Sequence, residues 1–266
     1  MLVFLLILII TLAIYRLFFI SWTSLLPAPL IESKFFYYGH RGAPKIAPEN
    51  TIHSFKTAID NGVDGIELDV QLSKDNNLIV YHDKYIRNNS MTISSMNLNE
   101  INKIDVRNDF KNLSFQKIPL LKEVLDVLPN NIVLNIEIKS YQTKYFSNIE
   151  KQVVRLINKY SIENQIIISS FNPFIIRKIK KINPYIATAF IWSSKSYYNY
   201  KVFSCYAKPD AFHVNINDIN DSMINWVKKK NVKIYAYTIN AKSDLDKAKQ
   251  YKLSGIFTDN PEIKNV

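Results

Sequence analysis

The sequence predicts an α/β protein: a (β/α)8 TIM-type barrel with a β-hairpin extension and a small insertion after the second strand, preceded by one N-terminal transmembrane helix. Three observations carry this. Eight apolar runs of strand length alternate with helical periodicity, a ninth apolar run follows the second after only a short turn, and the first twenty residues are almost free of charge. Strands that alternate with helices form parallel sheets, and eight is the number at which such a sheet commonly closes on itself.

In chain order, Leu2 to Ile20 reads LVFLLILIITLAIYRLFFI, nineteen residues with Arg16 as the only charge. As a helix this run is about 28 Å long, close to the thickness of a bilayer core. Arg16 lies near one end, where a long side chain reaches the headgroups. A cleaved signal peptide would need a basic start, a shorter apolar core and a small-residue cleavage site, and none precedes Pro27-Ala28-Pro29. Residues 1–24 are therefore expected to be a single-pass membrane anchor, 25–34 a linker, and 35–266 the barrel domain with an insertion over 84–117.

Strands are expected at 35–39, 65–70, 132–138, 166–170, 186–191, 211–214, 232–238 and 255–258, and helices at 51–61, 119–128, 144–160, 173–182, 222–230 and 241–251. Asn172 before Pro173 and Asp221 before Ser222 are helix-start signals. The run 78–81 follows the second strand too closely for a parallel crossover, so it must fold back as a hairpin. Pairing about Asp75 and Asn76 sets His82 opposite Asp69. The insertion is rich in Asn and Ser, with one short helix expected near 98–104, and a loop there shapes the opening of a barrel. After Asp259 only seven residues remain, which leaves a last helix missing or very short.

The formal net charge is +11, from 34 Lys and Arg against 23 Asp and Glu. Residues 1–33 hold only Arg16 and Glu32, so the barrel domain carries the excess, which suits a phosphorylated substrate or anionic headgroups. The lysines are scattered and no docking motif accompanies them, so nucleic acid is not expected as a partner. Cys205 is the single cysteine and cannot form an internal disulfide.

Between Gly39 and Asp83 the chain gathers His40, Arg41, Glu49, Glu67, Asp69, His82 and Asp83. The strand period of two turns Glu67 and Asp69 to one face and Ile66, Leu68 and Val70 to the other. The same alternation turns Glu137 and Lys139 inward from the next barrel strand. Three inward carboxylates need a counter-charge, and all-oxygen ligands suit a divalent cation, Ca2+ or Mg2+. His40 and His82 end flanking segments, where one imidazole can take a proton while the other gives one. Arg41 offers phosphate a planar fork and Lys139 a point charge. Gly42 permits a sharp turn, Glu49 orders the first loop or the outer shell of the metal, and Asn50 reads as a helix cap. Phe171, Tyr237 and Asn240 are candidate walls of the cavity. His53 and His213 read as packing residues.

Taken together, H-R-G at 40–42, P-E-N-T at 48–51, E-x-D at 67 and 69, H-D at 82 and 83, and E-x-K at 137 and 139 resemble the glycerophosphodiester phosphodiesterase family. Weaker echoes lie at 170–171, 237–240 and 258–261. The resemblance implies a metal-dependent phosphoric diester hydrolase that splits glycerophosphodiesters into sn-glycerol 3-phosphate and an alcohol. It implies Glu67, Asp69 and Glu137 as metal ligands, His40 and His82 as the acid/base pair, and Arg41 and Lys139 as phosphate contacts. The family often has Trp where this chain has Tyr237, and glycines common in its insertion are absent here. An alternative within the enzyme class is a lysophospholipase D acting on membrane lysophospholipids. A tethered binding barrel without turnover would have little need for both histidines.

Overall fold

A computed structural model of the chain describes residues 1–18, 22–33, 35–87, 90–141 and 148–265. Its strands are β1 (Phe36–Gly39), β2 (Gly65–Leu72), β3 (Leu78–Val80), β4 (Val133–Ile138), β5 (Ile166–Ser170), β6 (Ala187–Trp192), β7 (Ala211–Asn215), β8 (Lys233–Tyr237) and β9 (Gly255–Thr258). Its helices are α1 (Leu2–Phe18), α2 (Ala28–Glu32), α3 (Ile52–Asp60), α4 (Leu98–Ile101), α5 (Leu121–Val127), α6 (Ile149–Tyr160), α7 (Pro173–Ile182), α8 (Tyr200–Ala207), α9 (Asp221–Lys229) and α10 (Lys242–Gln250). Eight strands pair in parallel, and β1 pairs with both β9 and β2, so the sheet closes into the expected barrel. Among the described strands only β3 is antiparallel, hydrogen-bonded to the outer part of β2.

The period of two explains how the barrel fills. Ile66, Leu68, Val70, Leu134, Ile136 and Ile138 pack outward with Val153 and Ile157 of α6 in one cluster. A separate cluster inside the barrel joins Phe36, Tyr38, Val133, Ile167, Tyr235 and Phe257. Leu30 belongs to this second cluster and is 1% exposed.

The segment expected to be a linker is in fact tied to the lower end of the barrel. Trp22 donates its indole N–H to the Pro209 carbonyl (2.7 Å), the Leu25 N–H donates to the Asp210 carboxylate (2.8 Å), and Lys233 donates to the Leu30 carbonyl. Asp210 is fully buried and also accepts from the Thr188 N–H (2.7 Å) and pairs with Lys180. The expected transmembrane helix is corrected as well. The helix α1 comprises 17 residues, and among the described residues no helix is long and apolar enough to cross a membrane. Residues 19–21, which would extend it, lie outside the described residues.

The hairpin forms with a register one residue away from the expected one. Val70 pairs with Val80 and Leu72 with Leu78, so Asp69 faces Tyr81, whose N–H donates to the Asp69 carbonyl (3.0 Å). The cause is the turn: Asn76 adopts a left-handed conformation (φ 62°), making a longer loop centred on Asp75 alone. His82 is thus delivered just beyond the pairing. The insertion has its own small core, in which Ile86, Ile93, Met96, Ile101, Val106 and Ile118 pack with Ile79 of β3. Residues 88 and 89 lie outside the described residues. The helix α8 was not anticipated, because closely spaced aromatics hide its periodicity; Asn199 caps it by accepting from the Lys201 and Val202 N–H groups. The start of the helix expected over 144–160 falls outside the described residues, and α6 begins at Ile149. After β9 a single 3-10 turn, Pro261–Asn265, replaces a full helix as expected.

Candidate active site

The site lies at the carboxyl ends of the barrel strands and is assembled mainly by the loop after β1. The His40 N–H donates to the Thr258 carbonyl (2.8 Å), which fixes His40 at the rim. The chain then turns sharply through Arg41 (φ 52°) and Gly42 (φ 91°). A Cβ on Gly42 would fall 2.4 Å from Ser54 Oγ and 2.7 Å from its backbone, so only glycine fits. In this strained turn the Arg41 N–H donates to Glu67 Oε2 (2.9 Å). Asn50 is also left-handed (φ 56°) and donates its amide to Asp69 Oδ2 (2.8 Å), while Thr51 takes the capping role by accepting from the Ser54 N–H. Two unusual backbone positions in one loop therefore each present a donor to a carboxylate.

Glu67, Asp69 and Glu137 converge as the alternation requires. Each offers an oxygen within 4.8 Å of the others, and all three side chains are buried. Lys139 Nζ bonds Glu137 (2.7 Å) and lies 3.0 Å from Asp69 Oδ1, which still has no hydrogen bond of its own. Arg41 Nε stands 3.5 Å from Asp69 Oδ2, and its other arm donates to Glu49 (3.0 Å). A buried carboxylate oxygen with an ion pair but no hydrogen bond, set within a tight oxygen cluster, fits a hard divalent cation.

The two histidines flank this cluster in matching ways. His40 Nδ1 meets Asp259 Oδ1 at 2.7 Å, and Asn240 donates to the other oxygen of Asp259 (2.6 Å). His82 Nδ1 meets Asp83 Oδ1 at 2.6 Å. Both rings are oriented through Nδ1, which leaves Nε2 for chemistry, and His40 Nε2 lies 4.0 Å from Glu67. Both line a cavity of about 180 Å3, with Phe171 and Tyr237 in edge-to-face contact at 6.3 Å on its far wall. Every site residue expected from the sequence is thus gathered at one mouth. Asp259 and the contact of Asn50 with Asp69 were not anticipated. The position of Asp259 immediately after the last strand, on the active rim of such barrels, was the available signal.

The family model of the glycerophosphoryl diester phosphodiesterase family matches residues 40–263. The chain belongs to that family. A glycerophosphodiester phosphodiesterase of Caldanaerobacter subterraneus subsp. tengcongensis is 34% identical over 228 residues, covering 84% of this chain and 93% of the relative. Among solved structures, an Oleispira antarctica phosphodiesterase in complex with the product sn-glycerol-3-phosphate has a TM-score of 0.76 at 24% identity, with 86% and 95% of the two chains covered. A glycerophosphodiester phosphodiesterase from Thermotoga maritima has a TM-score of 0.71 at 24% identity, with 87% and 97% covered.

Charges at this phosphodiesterase-family site are unevenly distributed. Burial opposes the charge on Asp69, but Lys139 and Arg41 outweigh it and hold the carboxyl well below the usual range. Glu67 is pushed well above that range by burial and then by the neighbouring Asp69 charge. A cluster in which one carboxylate resists ionisation is short of positive charge, and a divalent cation would supply it. Burial disfavours the charged form of His40, yet its bond to Asp259 and the Glu67 carboxylate win, and its pKa is raised. For His82 burial dominates over Asp69, and its pKa is lowered.

Proposed function

We propose that this chain hydrolyses glycerophosphodiesters to sn-glycerol 3-phosphate and an alcohol, with His40 as general acid and His82 as general base. The observation that carries this reading is the pair of imidazoles on either side of the acidic trio, each oriented by an aspartate through Nδ1 and shifted in opposite directions. Groups whose environments separate their pKa values in this way divide the acid and base roles. The family membership and the product named in the Oleispira complex support the same reaction.

Glu67, Asp69 and Glu137 would hold the divalent cation, Ca2+ or Mg2+, which neutralises charge on the phosphate when bound. Arg41 and Lys139 orient the phosphate oxygens. Neutral His82 takes a proton from water as its oxygen forms the new bond to phosphorus. The bond from phosphorus to the alcohol oxygen breaks in line, and protonated His40 hands that oxygen its proton.

The test is turnover of glycerophosphocholine before and after chelation, with Ca2+ or Mg2+ restored. Chelation is expected to abolish turnover and one of the two ions to recover it. H40A is expected to reduce kcat by about 10² to 10⁴. Undiminished hydrolysis by H40A that still binds metal would overturn the assignment.

A second reading, a lysophospholipase D, rests on α1, whose apolar side chains from Leu2 to Ile10 are all at least 49% exposed. We infer that this surface contacts lipid and localises the protein to a membrane. Vesicle flotation of the full chain and of a form lacking residues 1–18 tests the attachment. Turnover of lysophosphatidylcholine above that of glycerophosphocholine would favour the second reaction.

A further inference from the structure

The helix α1 packs against α8, and the end of α1 that leads into the barrel is crowded with cations. Arg16 is the only charge in α1. Beyond it the indole N–H of Trp22 donates to the carbonyl of Pro209, the residue after Lys208, and Lys230 Nζ lies over the rings of Trp22 (5.6 Å) and Trp226 (6.0 Å). From α7, Lys180 reaches Asp210, and Arg177 stands about one turn before it. Lys180 neutralises Asp210, whereas Arg16, Arg177, Lys208 and Lys230 pair with no carboxylate among the described residues. Lys208 registers the crowding: partial burial, then Arg177, Arg16 and Lys230, lower its pKa. A helix dipole favours a cation at each helix end, but it does not gather the ends of α1, α8 and α9 around Arg177, which lies within α7.

We propose that α1 and this cluster form one membrane-docking surface that selects anionic phospholipid, with the apolar side chains of α1 in the acyl layer and Arg16, Arg177, Lys208 and Lys230 on headgroup phosphates. This inference rests on the lipid contact inferred above for α1 and names the lipid. Charge complementarity identifies it. The exposed side chains from Leu2 to Ile10 are apolar and uncharged, so they do not discriminate among lipids. The cations lie at the other end of the same helix, in the order in which a bilayer presents hydrocarbon and then headgroups. Each cation near an anionic leaflet gains from its surface potential, within about one Debye length. A cation without an internal partner gains most, because no existing ion pair has to be given up. Trp22 and Trp226, partly buried beside Lys230, are amphipathic rings suited to the headgroup level.

The experiment measures flotation of the full chain on vesicles of phosphatidylcholine alone and on vesicles in which roughly one lipid in three is phosphatidylglycerol. Partitioning is expected to be about 100-fold stronger on the anionic vesicles, and to fall about 10-fold or more as salt is raised from about 0.1 M to about 0.5 M. Each cation removed is expected to cost about fivefold, so R177Q/K208N should weaken anionic binding by about 25-fold and leave binding to phosphatidylcholine unchanged. Asparagine suits position 208, whose backbone is left-handed (φ 53°). K56Q/K103Q removes the same charge from exposed positions on α3 and just after α4 and is expected to leave binding unchanged. An equal loss there would assign the effect to net charge and overturn the cluster. Melting curves identify a variant that has not folded, in which case R16Q/K230Q takes its place. Equal flotation on the two vesicle types would overturn this inference and leave the lipid contact of α1 standing. No flotation on either type, or a dimer in solution that ignores both, would overturn the two together. Flotation needs no turnover, so each outcome is independent of the proposed reaction.

Discussion

Asp259 does not line the cavity, yet it sets the behaviour of His40. Without the bond to Asp259, burial would dominate and the imidazole would give up its proton more readily. In the role proposed for it His40 must be protonated, so its raised pKa would set the alkaline limb of the rate profile. D259N is therefore expected to move that limb to lower pH and to reduce kcat, and an unmoved limb in a kcat/KM profile would exclude the pairing. Asn50 invites a similar measurement. Its amide holds Asp69 Oδ2, so N50A is expected to weaken Ca2+ or Mg2+ binding by roughly 10- to 100-fold, read by titration calorimetry. At this scale the placement of the acidic trio and of both histidines was legible, because strand alternation alone decides where Glu67, Asp69 and Glu137 point. The partners were not. Asn50 resembles a helix cap from its neighbours, and the pairing of Asp259 with His40 spans 219 positions, a separation that no local pattern reports.

Among the elements, the loop after β1 and the segment before it do most to position the site. The segment before β1 is held from below: residues 22–33 bind Pro209, Asp210 and Lys233 under the barrel. Asp210 joins this segment to β6 and α7 through Leu25, Thr188 and Lys180. Removing its carboxylate leaves a lysine and two N–H groups with reduced partners, so D210A is expected to destabilise the fold by about 3–5 kcal/mol, measured by urea unfolding. The same scale sets the limits of sequence reading. Strands were recognised because both faces are apolar or alternate cleanly. The hairpin slipped by one residue because Asn76 accepts a left-handed turn that composition does not announce. The helix α8 went unread because Tyr197, Tyr198, Tyr200, Phe203 and Tyr206 mask its apolar stripe, and the 25–34 segment seemed a linker because nothing local marks Leu30 as a core residue.

Across the whole molecule, burying a neutral histidine makes stability depend on pH in a definite direction. His213 has a folded pKa of about 3 against 6.5 when unfolded, so the unfolded chain gains a proton first as pH falls. Stability is lost progressively from about pH 6.5 downward, and the loss is complete near pH 3. Between pH 7 and pH 5 this single group is expected to cost about 2 kcal/mol, and H213F should lack that increment when unfolding is compared at the two pH values. A difference of zero between wild type and variant would mean the imidazole is not held neutral. Saturating Mg2+ or Ca2+ is expected to raise the melting temperature, since only the folded trio offers the cation a site.

The barrel floor also fixes an orientation. Only four peptide steps join Phe18 to Trp22, at most about 14 Å of chain, and Trp22 is bonded beneath the barrel, at the end opposite the histidines. The helix α1 is therefore joined to the barrel at the end away from the substrate opening, and a form lacking residues 1–18 should hydrolyse dissolved diesters at an unchanged rate.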